Sequence, residues 1–358
     1  MKFVLTGGGT GGHAYPAIAI AEQLRERVDT EFIYYGTEDG PERAVAEAHD
    51  IEYRVVPASQ VRVRSPLRMT RGLWNLWRGS RIAKKRLDED RPDAVFATGG
   101  YAAAPVGRAA RAKKIPLVLF LPDVRPGWAV RLLQRSATMV TCAAEGSLPY
   151  LPESKTVVTG YPVRRQFLEA TREDGIRLFE LAPGVQTLLI AGGSMGAHQI
   201  NIVVREALPR LLERMQIIHI SGRDEYAWLE RERSQLPVWQ QQRYRLHAYT
   251  EEMAYAMAAS DLAVMRAGAS TLGELPALGL PAILIPGGFS EQNANAAYLA
   301  NRGAAIALPS VEIGGLADLV IELLDNDVRR AEMAQSMRVL GDKDAAASIA
   351  AILRSVAS

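Results

Sequence analysis

Short apolar runs alternate with stretches of helical period along nearly the whole chain. "KFVLTG" precedes "YPAIAIAEQLRER", "EFIYYG" precedes "GPERAVAEAH", "DAVFATGG" precedes "AAPVGRAARAKK", and "PLVLFLP" precedes "WAVRLLQR". Continuous apolar strands, each followed by a helix, specify a parallel sheet covered on both faces. After "MVTCAAE" the proline-rich stretch "SLPYLPESKTVVTGYPVRR" reads as a domain joint. The rhythm then restarts with "TLLIAGGSMGAHQINIVVREALPRLLER", "QIIHISG", "LAVMRAGASTLGELPALG", "PAILIPGG" and "AAIALPS", and closes on "IGGLADLVIELLDN" and "DAAASIAAILRSVAS". A length of 358 residues accommodates two domains, each with its own core. The expectation is an α/β protein of two doubly wound domains facing across a cleft, with ligands outside the carboxyl ends of the strands.

Strand ends carry glycine. The stretch from Leu5 to Ala17, "LTGGGTGGHAYPA", places Gly7, Gly8, Gly9, Gly11 and Gly12 between a strand and a helix. Gly7-x-Gly9-x-x-Gly12 formally matches a dinucleotide fingerprint, but the second strand ends Tyr34-Tyr35-Gly36, where that fingerprint needs an acid for the ribose. A phosphate-binding loop of the Walker type needs Lys-Ser/Thr after its last glycine, and this chain has Gly12-His13-Ala14. What survives is the physics common to both: free backbone N–H groups and a partial positive charge at a helix start, ready for an anion. Beside it stands the plainer reading, that the glycines only tighten a turn. Gly192-Gly193-Ser194-Met195-Gly196 and Arg266-Ala267-Gly268-Ala269-Ser270-Thr271 repeat the arrangement in the second half, and three anion-ready loops favour a ligand.

His13 begins the first helix, and an imidazole exchanges protons near neutral pH, so it is a candidate general base. Capping the helix, or bonding a ligand without proton transfer, are its alternatives. Glu274 lies just inside the helix after the third loop, where a carboxylate can accept from two vicinal ribose hydroxyls or simply complement the helix dipole.

Composition narrows the class. The chain is 48% apolar and 23% charged, which excludes a disordered or fibrous protein. One cysteine, Cys142, and scattered histidines point to a reducing compartment and away from structural zinc. No segment reaches the ~18 apolar residues of a membrane span, and "FVL" is too short for a signal-peptide core. The net charge is only +2, but "VRVRSPLRMTRGLWNLWRGSRIAKKR" contains nine basic residues, from Arg62 to Arg86, and no acid. Leu73, Trp74, Leu76 and Trp77 interleave there with arginines such as Arg78 and Arg81, as in a helix lying on an anionic bilayer. A core-packed helix with a solvated basic face is the competing explanation; nucleic acid is disfavoured because no recognition motif accompanies the charge.

At these residues the sequence resembles the MurG family of bacterial cell-wall glycosyltransferases, glycosyltransferase family 28, over essentially its whole length. "GGGTGGHAYPAIAIAEQL", "ATGGYAAAP", "GYPVR", "GGSMGAHQIN" and above all "MAASDLAVMRAGASTLGELPALGLPAILIP" carry the resemblance. It implies the GT-B architecture, with an acceptor domain at 1–163, a donor domain at 164–342 and a final helix, 343–358, returning to the first domain. It implies transfer of N-acetylglucosamine from UDP-GlcNAc to the C4 hydroxyl of lipid I, with inversion, by a peripheral hexosyltransferase at the cytoplasmic face of the inner membrane. No cofactor or metal is implied, since helix starts supply the electrostatic stabilisation.

Carried over by position, Arg164, Ser194, Met195 and Gly196 would meet the donor's phosphates and sugar, and Thr250 would border the uracil. Ala269, Ser270, Thr271 and Leu272 would bind the diphosphate and Glu274 the ribose. Gln292 and Asn295 would reach the sugar hydroxyls, and Thr10, Gly11 and Gly12 the diphosphate from the other domain. The family's His-Glu-Gln-Asn is here Phe120-Leu121-Pro122-Asp123, and its Asp-His is Ser290-Glu291. Asp123 alone keeps a polar group there and is the second candidate base. A UDP-GlcNAc 2-epimerase, a family-28 enzyme with another lipid acceptor, and a non-catalytic nucleotide-sugar-binding module are the alternatives.

Overall fold

The structure, a computed structural model, describes all residues except 10, 26–28, 60–65, 193–196, 289 and 358. The chain divides into two compact units, Met1–Arg164 with Asp342–Ser358, and Arg165–Gly341.

The first unit is built on a seven-stranded sheet: β1 (Lys2–Thr6), β2 (Glu31–Gly36), β3 (Glu52–Val55), β4 (Ala94–Ala97), β5 (Leu117–Leu121), β6 (Met139–Cys142) and β7 (Thr156–Val158). Its order is β3-β2-β1-β4-β5-β6-β7 and every pairing is parallel. β1 is central: Phe3 pairs with both Phe32 and Ala94, and Thr6 with both Tyr35 and Ala97. Val4, Val95, Leu119 and Val140 are buried under helices Pro66–Asp90 and Gly100–Lys113, as continuous apolar strands demand.

The second unit repeats the design with six strands: β8 (Thr187–Ala191), β9 (Gln216–Ile220), β10 (Tyr244–His247), β11 (Leu262–Met265), β12 (Ala282–Leu284) and β13 (Ala305–Ala307), in the order β10-β9-β8-β11-β12-β13. Leu188, Ile190, Val264 and Ile283 meet Val204, Leu208, Leu212 and Val320 in its core.

In both units the strand order reverses beside the first strand, between β1 and β4 and between β8 and β11. At such a switch point the loops leaving the two strands diverge to opposite faces and leave room at the carboxyl ends. The last helix, Ala345–Ala357, belongs to the first unit. Its Ile349, Ala350 and Leu353 are buried, and it packs against the first helix, Gly11–Arg25.

β3, β7 and β10 have no counterpart in the apolar runs of the sequence, and all three are sheet edges. An edge strand is half exposed and needs no continuous apolar run, so "EYRV" and the "TVV" inside the proline-rich joint carry little signal.

Candidate active site at the sheet switch points

In the first unit the loops after β1 and β4 fit into one another. A Cβ on Gly7 would lie 1.8 Å from Thr98 Oγ1, and one on Gly100 would lie 2.0 Å from the Gly8 carbonyl oxygen. Gly9 and Gly99 have φ of 98° and 89°, a region open to glycine without strain. The plainer reading of the glycines therefore accounts for Gly7, Gly8 and Gly9, which make room for neighbouring chain. Gly11 and Gly12 differ: they begin the helix Gly11–Arg25, which has no acid in its first turn to offset its positive end.

His13 projects from that first turn and is partly buried. Its Nδ1 lies 2.8 Å from the Thr98 carbonyl oxygen. A carbonyl only accepts, so Nδ1 carries the hydrogen and Nε2 keeps the lone pair. The same threonine holds the helix backbone, since its Oγ1 donates to the His13 carbonyl at 2.5 Å. Thr98 thus fixes both the ring and the turn that bears it.

Two residues of the "GYPVR" segment reach the same helix start. Pro16 has no N–H to offer the Gly12 carbonyl, and the Tyr161 hydroxyl donates to that carbonyl instead, at 3.1 Å. Arg164 falls in the first unit, with its guanidinium 4.1 Å from the Tyr15 ring centroid. Phe120, where the resemblance places a histidine, is fully buried, stacked on Phe96 and edge-on to Tyr161. Asp123 follows β5 in a loop held by the Ser147 hydroxyl, which donates to the Asp123 carbonyl at 3.2 Å.

In the second unit, the loop after β11 leads into the helix Thr271–Leu278. Ser270 is its N-cap residue, the Thr271 hydroxyl donates to the Gly268 carbonyl at 2.6 Å, and Thr271, Leu272 and Glu274 are buried. Ala269 and Ser270 are half-buried beside them. Behind the loop, Asn295 is fully buried and its Nδ2 donates to the Ala267 carbonyl at 3.1 Å. Gln292 Oε1 accepts from the Gly287 amide at 2.6 Å. Thr250 Oγ1 accepts from the Glu252 amide at 3.0 Å, shaping the turn before the helix Met253–Ala258. Thr10, Ser194, Met195 and Gly196 lie outside the described residues.

A buried network that the sequence reading passed over backs the helix His198–Leu212, whose first turn also lacks an acid. His219 Nδ1 accepts from the Tyr244 hydroxyl at 2.7 Å, its Nε2 donates to Asn201 Oδ1 at 3.0 Å, and Asn201 Nδ2 donates to the Ser221 carbonyl at 3.0 Å. Burial lowers the pKa of His219 to about 3, which keeps it neutral, and the Asn201 Oδ1 acceptor fixes its tautomer.

The basic segment forms the helix Pro66–Asp90. Leu76, expected beside Leu73, Trp74 and Trp77, instead turns into the core with Ala83 and Leu87, and a Cβ on Gly79 would lie 2.0 Å from the Pro57 carbonyl oxygen. On the other face Leu73, Trp74 and Trp77 are about half exposed, at 50%, 53% and 51%. Arg78 sits 5.3 Å over the Trp74 ring and Arg81 4.1 Å over that of Trp77. The core-packed helix and the exposed aromatic face thus coexist on one element. Arg62 and Arg64 lie outside the described residues. Among the described residues, no helix is long and apolar enough to cross a membrane, and no group of His, Cys, Asp and Glu is arranged to hold a metal ion.

Two doubly wound parallel sheets, with helix starts gathered at the switch point of each, constitute the GT-B architecture. Comparison with known proteins refines this. Residues 3–142 match the glycosyltransferase family 28 N-terminal domain and residues 187–349 the C-terminal domain. A UDP-N-acetylglucosamine–N-acetylmuramyl-(pentapeptide) pyrophosphoryl-undecaprenol N-acetylglucosamine transferase from Roseiflexus sp. (strain RS-1) is 38% identical, with 98% of this chain and 94% of that protein covered. The crystal structure of Acinetobacter baumannii MurG superposes with a TM-score of 0.77 at 25% identity, covering 99% of each chain. A UDP-GlcNAc 2-epimerase from Neisseria meningitidis, bound to UDP-GlcNAc, shares the fold with a TM-score of 0.70 at 16% identity, covering 99% of this chain and 100% of that one. The chain belongs to glycosyltransferase family 28.

Proposed function

We propose that this protein moves N-acetylglucosamine from UDP-GlcNAc to the C4 hydroxyl of lipid I, forming lipid II for peptidoglycan. The observation that carries the reading is His13, held through Nδ1 by the Thr98 carbonyl so that Nε2 is the basic nitrogen at an acid-free helix start. The full-length likeness to transferases of that name supports donor and acceptor together, and disfavours the epimerase, which shares the fold at much lower identity.

In this reading the first unit receives the acceptor. His13 Nε2 takes the proton of the attacking hydroxyl as the oxygen bonds to the anomeric carbon, and the bond from that carbon to the diphosphate breaks with inversion. UDP leaves with the electron pair. Asp123 is the alternative proton acceptor. Thr10 and the amides of Gly11 and Gly12 meet anionic groups of the substrates, and Arg164 adds a cation.

The second unit holds the donor. Ser194, Met195 and Gly196 contact the donor's phosphates and sugar, and Ala269, Ser270, Thr271 and Leu272 present a helix start to the diphosphate, where charge accumulates as the bond breaks. Glu274 accepts from the ribose hydroxyls, the Thr250 turn borders the uracil, and Gln292 reaches the sugar. Asn295, buried and bonded to the Ala267 carbonyl, acts on the sugar side by shaping the loop.

The exposed Leu73, Trp74 and Trp77 with Arg78 and Arg81 dock on an anionic bilayer, peripherally and at the cytoplasmic face, where the lipid-linked acceptor is presented. Salt-sensitive binding to anionic vesicles and weak binding to neutral ones is the expected result in a sedimentation assay. Equal binding to both removes the electrostatic part of this reading.

Incubation with labelled UDP-GlcNAc and lipid I tests the reaction itself. Labelled lipid II supports it. UDP with N-acetylmannosamine selects the epimerase, and binding without turnover a non-catalytic module. EDTA is expected to leave the rate unchanged.

A further inference from the structure

The first glycine loop rests on a carboxylate to which the proposed reaction gives no role. Glu42 opens the short helix Glu42–Glu47 after β2 and is fully buried. Its Oε2 accepts from the Gly9 amide at 3.2 Å, and its Oε1 accepts from the Thr37 amide at 3.0 Å and the Thr37 hydroxyl at 2.9 Å. The chain makes room for it with glycine: a Cβ on Gly8 would lie 2.4 Å from Glu42 Cδ, one on Gly40 2.2 Å from Oε1, and one on Gly36 2.9 Å from Cγ.

The neighbouring phenols tie down the same two loops, the Tyr34 hydroxyl donating to the Gly7 carbonyl at 2.7 Å and the Tyr53 hydroxyl to the Thr37 carbonyl at 2.5 Å. Burial first, and the charge of Glu42 second, raise the pKa of both phenols, which keeps them protonated as donors. The Gly9 amide is therefore directed at an internal carboxylate, and the anion-binding capacity of this stretch lies at the helix start that follows.

We propose that Glu42 is a positioning residue for sugar transfer: by accepting from Gly9 and Thr37 at once, it sets the β1 loop so that the helix bearing His13 starts in its reactive place. The proposal rests on the assignment of His13 to the reacting hydroxyl. The role is specific to an acceptor on both oxygens. A glutamine of the same shape would turn its NH2 toward the N–H of Gly9 or of Thr37, donor against donor. The packing survives such a change, and the loop loses its tie.

Glu42→Gln is the test, with Asp90→Asn as a control for losing a buried carboxylate from the same unit, since Asp90 is bonded to Tyr35 and Arg54 rather than to the loop. For Glu42→Gln, kcat for lipid II formation is expected to fall about 10- to 100-fold, as when a small displacement spoils a reactive geometry, with KM for UDP-GlcNAc within about threefold. Exchange protection of the Gly9 amide is expected to drop with it. Asp90→Asn is expected to lower the melting temperature while kcat stays near that of the wild type.

A Glu42→Gln enzyme that keeps its kcat, or one that loses no more activity than Asp90→Asn at the same loss of melting temperature, overturns the proposal. If the wild type makes no lipid II, the assigned reaction fails by itself. Gly9 exchange then decides separately, and unchanged protection in Glu42→Gln overturns the positioning role.

Discussion

The loop after β1 and the loop after β11 look alike in sequence, each a glycine-bearing turn between a central strand and a helix, yet they are enclosed differently. Around the first, a Cβ on Gly7 or Gly8 would run into Thr98 or Glu42. Around the second, nothing among the described residues lies within 4 Å of a Cβ on Gly268, whose φ is not in the left-handed region. The glycines of the first loop are required by the fold, whereas Gly268 is not. In the proposed reaction the chemistry of the first loop lies one step along the chain, at the helix start and His13, whereas the backbone of the second loop is itself the surface proposed for the donor.

His13 gives the largest expected effect. His13→Ala removes the nitrogen that the Thr98 carbonyl leaves basic, and kcat should fall about 10²- to 10⁴-fold, the usual worth of a general base. UDP affinity, measured by calorimetry, should change little, because the proposed donor site lies in the second unit. A kcat within a few-fold of wild type would transfer the proton-accepting role to Asp123.

A matched pair of glycine substitutions breaks the comparison most directly. Gly7→Ala drives its methyl into Thr98 Oγ1, which must rotate and release the His13 carbonyl. Overpacking of this kind costs about 1–3 kcal/mol, so both melting temperature and kcat should drop. Gly268→Ala should leave the melting temperature unchanged or slightly raised, since alanine restricts the unfolded chain. It should weaken UDP binding about tenfold if the loop backbone lies against the diphosphate, a loss of ~1.4 kcal/mol. The opposite pattern, a destabilised Gly268→Ala and a tolerant Gly7→Ala, would reverse the roles given to the two loops.

This contrast also marks what was legible in the sequence. The alternation of strand and helix revealed the two parallel sheets because buried parallel strands must be apolar throughout, and glycine clusters marked the switch-point loops. Edge strands β3, β7 and β10 were hidden because one side of each is free of that demand. Glu42 was hidden for another reason, since it acts across 33 residues of chain and a lone glutamate does not announce such a partner. Thr98 lay in a visible motif, but its hold on His13 spans 85 residues. Tyr161 is a middle case: its motif was visible, but its bond to the carbonyl that Pro16 leaves open spans 149 residues. Phe120, which stands where the resemblance places a histidine, is buried against Phe96 and Tyr161, a packing role that the sequence did not announce.

The smallest expected effect belongs to the second unit's buried histidine. His219 has its pKa lowered to about 3 by burial, against an ordinary value of 6.5. Between those values the unfolded chain binds a proton that the folded one refuses, so the contribution of His219 to stability is complete above pH 6.5 and is lost as the pH falls toward 3. The limiting slope for one such proton is ~1.4 kcal/mol per pH unit. Histidine-ring NMR should show His219 neutral, with the hydrogen on Nε2, throughout a titration from about pH 7 to pH 5. His219→Gln should lower stability at neutral pH and shrink the difference in denaturation midpoint across that same interval. A His219 signal that titrates within that interval would mean that the Tyr244–His219–Asn201 network opens in solution, and with it the support behind the helix His198–Leu212.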